Sequence, residues 1–238
     1  MKTVILCGGF GTRLGNQTQK IPKPMIQING KPLVEWIIKT YINFGFKDFI
    51  LVTGYKHKVI EKYFKNKKFR NNVTVEPFYT GLKTNTGGRI LKLKKFFKKN
   101  EDFMLTYGDG LSSINLKNLL KLHKKNSSVV TVTAVRPPAR FGEVLFEKNS
   151  SQVKKFSEKP KTNNGWINGG FMVLNSNVFK YFKSQNEIFE YHVLNRLTKS
   201  KKLFAHKHNG IWQCCDTPRD KILITQILRN KKIRFLKR

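Results

Sequence analysis

Residues suited to binding phosphate groups lie together near the start of the sequence. The segment Gly8-Gly9-Phe10-Gly11-Thr12-Arg13-Leu14 directly follows a short apolar stretch that is predicted to be the first strand. Glycines let the backbone approach a triphosphate closely, and exposed N–H groups in such a loop can bind phosphate oxygens. The loop is not a P-loop, which ends in Gly-Lys-Ser/Thr, and its glycine spacing differs from that of dinucleotide-binding loops.

A lysine with a stiffened backbone follows this loop. Pro22 and Pro24 flank Lys23, and their rings restrict the backbone on both sides of it. A lysine fixed near a phosphate-binding loop suits an α-phosphate, where negative charge is redistributed when the phosphoryl group is transferred. The alternative is a proline-rich surface turn that carries an ordinary lysine.

Two aspartates are candidate ligands for a divalent cation. Asp109 lies between two glycines at the end of an apolar stretch, and ligands of open α/β sheets bind at the carboxyl ends of the strands. Mg²⁺ prefers one or two carboxylates together with phosphate oxygens. Asp216, just before the last predicted helix, is the candidate for the second carboxylate. The alternatives are a β-turn role for Asp109 and a helix N-cap role for Asp216.

Five motifs in a fixed order identify a family. The segments 8–14 and 22–25 are followed by Tyr107-Gly108-Asp109-Gly110, Glu158-Lys159-Pro160 and Asn168-Gly169-Gly170. With these motifs the chain resembles the sugar-phosphate nucleotidyltransferases over nearly its whole length. The resemblance implies an enzyme that joins a nucleoside triphosphate to a sugar 1-phosphate, releases pyrophosphate and uses Mg²⁺ as its cofactor.

The resemblance also implies roles for individual residues. Asp109 and Asp216 would bind magnesium, while Arg13 and Lys23 would contact the triphosphate and the attacking phosphate, which makes Arg13, Lys23 and Asp109 the predicted catalytic residues. Nucleotide-binding residues are expected at Leu6, Gly8, Gly9, Gly11, Thr12, Arg13, Thr84, Gly88, Arg89 and Gly108. Sugar-phosphate-binding residues are expected at Lys23, Gly142, Glu158, Lys159, Asn168 and Gly169, with a surface ion pair as the alternative for Glu158 and Lys159.

The segment Thr86-Gly87-Gly88-Arg89 bears on the choice of nucleotide. Family members that use UTP or dTTP usually carry small residues such as Gly-Thr-Ala here, whereas Thr-Gly-Gly-Arg resembles the glucose-1-phosphate cytidylyltransferases. This resemblance implies CTP and glucose 1-phosphate as substrates, with Thr84 and Arg89 on the cytidine side. Uridylyl, thymidylyl or guanylyl transfer to another sugar 1-phosphate is the alternative.

Two functions from other classes compete with this interpretation. A regulator that binds sugar nucleotides without turnover should have lost Arg13, Lys23 or Asp109, and all three are present. A nucleic-acid-binding protein is suggested by the charge, since 47 Lys and Arg face 14 Asp and Glu and give a net charge of +33. The basic runs are scattered at helical spacing and lack a recognition motif. We therefore expect solvated helix faces that raise the local anion concentration, and no specific nucleic-acid partner.

Length and composition limit the classes of protein to which the chain can belong. A chain of 238 residues can form one large α/β domain. No apolar run reaches the roughly 18 to 20 residues of a membrane span, and the short apolar start does not resemble a secretory signal. The three cysteines lack the spacing of a zinc site, and the adjacent pair is poorly placed to form a disulfide. These features predict a cytoplasmic protein and leave open whether it forms a homo-oligomer.

Alternating apolar patterns predict the elements that must position these residues. They favour a mixed, mostly parallel central sheet with helices on both faces, the Rossmann-like fold of nucleotide-diphospho-sugar transferases that the resemblance implies. The interpretation is a single domain, with a nucleotide-binding half at 1–135 and a sugar-phosphate-binding half at 136–238. Strands are expected at 3–7, 49–53, 73–75, 103–107, 129–135, 144–146, 153–156 and 171–174, and helices at 34–41, 59–64, 87–97, 116–120, 178–182, 189–197 and 218–228.

Overall fold

The computed structural model describes residues 1–11, 14, 18, 20–70, 72–137, 143–157 and 165–236. Five of the predicted site residues lie outside these ranges: Thr12, Arg13, Gly142, Glu158 and Lys159. None of the helices in the described ranges combines the length and the apolar character that a bilayer crossing requires.

Strands and helices alternate along the described residues. The strands are β1 (Lys2–Cys7), β2 (Gln27–Ile28), β3 (Lys31–Pro32), β4 (Asp48–Thr53), β5 (Thr74–Tyr79), β6 (Asp102–Tyr107), β7 (Gly110–Ser112), β8 (Val130–Val135), β9 (Glu143–Phe146), β10 (Val153–Ser157), β11 (Ile167–Asn175), β12 (Leu203–His208) and β13 (Trp212–Cys214). The α-helices are α1 (Leu33–Ile42), α2 (His57–Lys65), α3 (Thr86–Leu91), α4 (Leu116–Lys125), α5 (Leu194–Lys199) and α6 (Pro218–Arg229). Short 3₁₀ turns span Lys23–Met25, Lys92–Phe96, Ser176–Tyr181 and Arg234–Leu236, and a π-helical turn spans Phe189–Val193.

A seven-stranded sheet forms the centre of the molecule, in the order β12-β8-β11-β6-β1-β4-β5. The pairs β1–β4, β1–β6, β4–β5 and β8–β12 are parallel, and β11 runs antiparallel to both of its neighbours. The predicted mixed, mostly parallel sheet is therefore confirmed. Because β11 lies between β6 and β8, the segments 1–135 and 136–238 contribute strands to the same sheet.

Side chains on the two faces of the sheet enter two apolar clusters. In β1, Ile5 and Cys7 join a cluster with the apolar face of α1, while Val4 and Leu6 join a cluster on the other face with Ile90 of α3. This alternation is the period of two that a strand imposes. Packing on both faces fixes the carboxyl ends of β1 and β6, where the glycine loop and Asp109 begin.

A smaller two-stranded sheet joins distant parts of the chain. β7 pairs antiparallel with β13, so that Gly110 faces Cys214 and Ser112 faces Trp212. This pairing brings the segment after β6 beside the segment that leads into α6. The two predicted metal ligands, Asp109 and Asp216, consequently flank one ladder.

Some elements differ from the sequence prediction. The helix expected at 178–182 is a 3₁₀ turn, and the one expected at 189–197 starts as a π-helical turn before it becomes α5. Strand β12 was not predicted, because histidine and lysine interrupt its apolar residues. It lies at the edge of the sheet, where polar residues are tolerated.

Candidate active site

A cavity of about 490 Å³ opens at the carboxyl ends of β1 and β6. This is the edge at which open α/β sheets bind ligands. The described residues that were predicted to bind the nucleotide line this cavity, with the exception of Gly88, and so do Lys23, Asp109 and Asp216. The lining also includes residues that were not predicted, namely Cys7, Phe10, Pro24, Leu82, Lys83, Asn85, Thr86 and Tyr107.

The glycine loop after β1 is shaped by two close approaches. A Cβ atom on Gly8 would lie 2.3 Å from the Arg89 Cζ atom, so only glycine fits against that guanidinium. Gly11 has a φ of +67°, a left-handed conformation that side chains other than glycine rarely adopt. A Cβ atom on Gly11 would also lie 2.9 Å from the Lys23 Cβ atom. The glycines thus make room for the two cations beside the loop.

Arg89 joins three loops into one wall. Its side chain is buried. The two terminal nitrogens carry four N–H groups and lie within hydrogen-bonding distance of five acceptor oxygens, so every N–H group has an acceptor. Burial lowers the pKa of Arg89, but a guanidinium stays protonated in proteins. Arg89 therefore braces the loop after β1 against the ends of β4 and β5. The contact on the cytidine side that the resemblance implied for Arg89 stays a prediction. The acceptors are the carbonyl oxygens of Gly8, Thr53, Gly81 and Leu82 at 2.9, 3.0, 2.9 and 3.3 Å and the Thr80 hydroxyl at 2.7 Å.

Gly88 lets another segment of the chain pack closely against α3. A Cβ atom on Gly88 would lie 2.1 Å from the Gln185 carbonyl oxygen, and one on Gly87 would lie 2.4 Å from the Glu187 carbonyl oxygen. The Gly-Gly pair lets the segment 185–187 lie directly on the helix. Gly88 was predicted to bind the nucleotide; it does not line the cavity in this structure, and its contact with a nucleotide stays a prediction.

Lys23, Asp109 and Asp216 form a compact charged cluster. The Lys23 ammonium donates to Asp109 Oδ2 at 2.7 Å and to Asp216 Oδ1 at 2.6 Å. Only 12% of the Lys23 side chain is exposed, against 34% for Asp109 and 16% for Asp216. Burial alone would lower the pKa of Lys23, but the two carboxylates outweigh burial and raise it. The structure therefore brings together three residues that are 86 and 193 positions apart in sequence.

The helix that follows Asp216 is capped by other residues. Thr217 is the N-cap of α6: its hydroxyl accepts from the Asp220 amide at 3.3 Å, and the Asp220 carboxylate accepts from the Thr217 amide at 2.8 Å. This is a capping box. The alternative that Asp216 caps the helix is thereby excluded, since Thr217 occupies the N-cap position.

Asn168 and Gly169, predicted for the sugar phosphate, lie close to Asp109 and Tyr107. They line a smaller cavity of about 40 Å³ together with Tyr107, Asp109 and Trp212. The Trp212 indole N–H donates to the Gly169 carbonyl oxygen at 2.8 Å. Asn168 and Gly169 are thus held next to the charged cluster and do not line the larger cavity.

Comparison with known proteins identifies the family. The family model described as Nucleotidyl transferase matches residues 2–219. The chain belongs to this family. It is 38% identical over 244 residues to the glucose-1-phosphate cytidylyltransferase of Salmonella typhimurium, an alignment that covers 94% of each chain. It is 39% identical over 237 residues to a Bacillus subtilis protein named "probable glucose-1-phosphate cytidylyltransferase", covering 91% of this chain and 92% of that one.

Solved structures share the fold. A UDP-glucose pyrophosphorylase complexed with UDP-glucose has a TM-score of 0.72 at 22% identity, covering 97% of this chain and 98% of that one. At this identity the likeness concerns the fold of the nucleotidyltransferase alone. The resemblance inferred from the five sequence motifs is confirmed by the family match.

Sequence reasoning missed the role of Glu190 in this nucleotidyltransferase. The Glu190 carboxylate accepts from the Thr86 hydroxyl at 2.6 Å and from the Tyr107 hydroxyl. Thr86 starts α3 and Tyr107 ends β6, so one carboxylate links two walls of the cavity. Burial, followed by the nearby Glu190 charge, raises the pKa of Tyr107. The partners lie 104 and 83 positions away in sequence, and no local motif marks Glu190.

Asp109 and Asp216 fit a magnesium ion. Both carboxylates contact the same ammonium nitrogen, so both have an oxygen close to one point in space. Two carboxylates completed by phosphate oxygens and water form the ligand set that Mg²⁺ uses with nucleotides. Within the described ranges, no group of three or more His, Cys, Asp or Glu side chains is placed to hold a metal.

Proposed function

We propose that this nucleotidyltransferase is a magnesium-dependent glucose-1-phosphate cytidylyltransferase, which converts CTP and glucose 1-phosphate into CDP-glucose and pyrophosphate. The observation that carries the proposal is the cluster of Lys23, Asp109 and Asp216 at the wall of the glycine-loop cavity. The 38% identity to the Salmonella typhimurium enzyme over 94% of both chains supports the choice of substrates.

The cavity wall would bind the triphosphate. Residues 8–11 place backbone along the cavity, and N–H groups in such a loop bind phosphate oxygens without adding charge. Arg89 holds the loop in place through the Gly8 carbonyl oxygen. Arg13 follows the described part of the loop in sequence, and its contact with the phosphates remains a prediction.

Asp109 and Asp216 would hold the magnesium ion. When bound, Mg²⁺ would offset the repulsion between the attacking phosphate and the triphosphate. Asp109 is fixed for this role by its own backbone, because its carbonyl oxygen accepts from the Cys215 amide at 2.8 Å. The neighbouring ladder of β7 and β13 holds the two aspartates at a set distance from each other.

The chemical step needs no basic side chain. A phosphate oxygen of glucose 1-phosphate attacks the α-phosphorus of CTP in line, the bond from the α-phosphorus to the bridging oxygen breaks, and pyrophosphate leaves. The nucleophile is already an anion near neutral pH, since the second pKa of a phosphate monoester is about 6. Lys23 stabilises the charge on the transferring group, and the cavity supplies orientation.

A pyrophosphate-release screen tests the proposal. CTP, dTTP, UTP, GTP and ATP are each combined with several sugar 1-phosphates in Mg²⁺. CTP with glucose 1-phosphate should give the highest kcat/KM, about ten- to hundredfold above UTP, because a site that pairs the cytosine amino group leaves buried polar groups unpaired with uracil. Equal use of UTP or dTTP would reject the cytidylyl part and keep the nucleotidyltransferase activity. An Asp109→Asn preparation controls for contaminating enzymes.

A further inference from the structure

The Lys23 ammonium lies where a cation shared by two carboxylates would lie. One nitrogen atom contacts Asp109 Oδ2 at 2.7 Å and Asp216 Oδ1 at 2.6 Å. Two carboxylates held this close without a cation between them would repel each other. Lys23 supplies the neutralising charge from within the chain.

From this geometry we infer that Lys23 and the divalent cation compete for the same pair of carboxylates. Lys23 positions Asp109 and Asp216 in the metal-free protein, and the metal displaces its ammonium as it binds. The inference rests on the metal site of the proposed function. It adds a second role to Lys23, because the displaced ammonium becomes available to a phosphate only once the metal is in place.

Simultaneous binding is unfavourable for electrostatic and geometric reasons. Mg²⁺ requires oxygens at about 2.0–2.1 Å in near-octahedral order. An ammonium that keeps its contacts to the same oxygens would lie within about 5 Å of the metal, where the repulsion between a double and a single positive charge is large. Exchange removes this repulsion, since Lys23 leaves when the metal enters.

The surroundings of Lys23 let its side chain move while its backbone stays fixed. Lys23 is the first residue of the 3₁₀ turn Lys23–Met25. Pro22 precedes the turn, and Pro24 lies within it and is buried. Its stem passes Gly11: a Cβ atom on that glycine would lie 2.9 Å from Lys23 Cβ and 3.6 Å from Lys23 Cδ. A lysine stem is flexible and its ammonium is a point charge. The ammonium can therefore swing from the two aspartates to the cavity beside the glycine loop without moving the backbone.

Manganese binding without nucleotide tests the competition. Mn²⁺ is titrated into the metal-free enzyme and followed by electron paramagnetic resonance, for wild type, Lys23→Ala, Lys23→Arg and Lys83→Ala. Removing the competing cation should tighten Mn²⁺ binding about tenfold or more in Lys23→Ala, since a hydrogen bond to a charged group must no longer be broken. Lys23→Arg keeps the charge and should stay near wild type. Lys83 lines the same cavity, so its removal measures the long-range effect of charge and should change the affinity by less than about threefold.

A second measurement uses the unmodified protein, so that it does not depend on how the variants fold. Acetylation of Lys23 by acetic anhydride is quantified by mass spectrometry with and without Mg²⁺, with Lys83 as the internal reference. Release of the ammonium should increase the labelling of Lys23 several-fold in Mg²⁺, with Lys83 unchanged. The inference is overturned if Mn²⁺ binds Lys23→Ala no more tightly than wild type, or if Mg²⁺ leaves the labelling of Lys23 unchanged or lowers it. Neither readout requires turnover, so failure of the cytidylyl assay is a separate result.

Discussion

Arg89 and Lys23 are two cations in the wall of one cavity, and the structure gives them opposite kinds of partner. The Arg89 guanidinium is surrounded by neutral backbone carbonyls and one hydroxyl. The Lys23 ammonium contacts two carboxylates. One incoming metal ion cannot replace a guanidinium that donates to five separate acceptors, whereas two carboxylates that share one ammonium can exchange it for another cation.

The contrast separates Arg89, a cation that holds the loops of the site together, from Lys23, a cation expected to act on the metal and the phosphates. Arg89 presents a rigid planar fork that matches several fixed acceptors at once, and Lys23 presents a mobile point charge. Close packing follows the same division, because Gly8 and Gly54 are both too near the Arg89 guanidinium to carry a side chain. Substitutions should therefore affect stability around Arg89 and turnover around Lys23.

The largest effect is expected at the carboxylates that accept from Lys23. Asp109→Asn should lower pyrophosphate release at least about thousandfold in Mg²⁺, and EDTA should stop the wild-type reaction, because an amide binds a hard cation poorly. Thermal unfolding should stay near wild type, since the Asp109 side chain is partly exposed. Asp48→Asn, at an exposed carboxylate at the start of β4, is the matched control and should keep its activity. Rapid turnover by Asp109→Asn would remove the metal assignment.

A loss of stability is expected from Arg89→Met, which keeps the apolar stem and removes the hydrogen bonds. Four carbonyl oxygens lose a donor, two of them in buried hydrogen bonds, and the free energy of unfolding should fall by about 3–5 kcal/mol. Equilibrium unfolding in urea measures this change. Lys92→Met is the control, because Lys92 donates a single bond to the Thr80 carbonyl oxygen and should cost about 1 kcal/mol or less. If Arg89→Met were as stable as wild type and lost its preference for CTP, Arg89 would instead be the base contact that the sequence suggested.

Lys23→Ala should lower turnover strongly and the free energy of unfolding only slightly, whereas Arg89→Met should mainly lower the free energy of unfolding. Turnover should fall about a hundred- to thousandfold, which is the loss expected for one charge-assisted contact made mainly in the transition state. Because the cluster of Lys23 and the two aspartates is largely buried, unfolding is measured in Mg²⁺, which supplies the positive charge that the variant lacks. The unfolding free energy should then change by about 1 kcal/mol or less. Steady-state kinetics and urea unfolding of the same preparation test both parts. The control is Lys121→Ala, which removes an exposed lysine of α4 that does not line the cavity. A loss of turnover below about threefold would mean that Lys23 only pairs with the two aspartates and does not act on the substrates.

Residues in continuous motifs were predictable from sequence, and residues whose roles depend on distant partners were not. Lys23 was chosen as a candidate because two prolines flank it and a glycine loop precedes it, and Asp109 because it lies between two glycines after an apolar strand. The structure brings the two side chains together, and their roles stay predictions. The partners of Arg89 come from three loops that meet only after the sheet has formed. The role of Glu190 was not predictable for the same reason, since its partners Thr86 and Tyr107 come near it only when the chain folds.

The fold follows the same rule. Strands covered on both faces, such as β1 and β6, have continuous apolar sequences that predict them directly. Strand β12 has one parallel neighbour and polar residues, so its place at the edge depends on pairing with β8 rather than on its own composition. The order of strands, with β11 antiparallel between β6 and β8, was likewise not fixed by any local pattern.

The smallest effect is expected at the cap of α6, where neighbouring residues have separate roles. Thr217→Ala removes the hydroxyl that accepts from the Asp220 amide, and loss of an N-cap costs about 1 kcal/mol. For a chain of this length that corresponds to a fall in Tm of about 2–4 °C. Thr217→Ser restores the hydroxyl and should restore the Tm, which separates capping from packing of the side chain.

Asp216→Asn provides the complementary half of this test. The Asp216 carboxylate contacts Lys23 and does not cap α6, so the variant should lose turnover. Its Tm should stay within about 2 °C of wild type, because asparagine keeps the shape of the side chain and Lys23 keeps its contact with Asp109. Thr217→Ala should keep turnover within about threefold, because the ladder of β7 and β13 and the bond from the Asp216 amide to the Asp220 carboxylate do not use the Thr217 hydroxyl. A large loss of Tm in Asp216→Asn, with a stable Thr217→Ala, would assign the cap to Asp216. Asp216 would then have a structural role in α6, and the distinction between residues that stabilise the fold and residues that act on the substrates would not hold within the charged cluster.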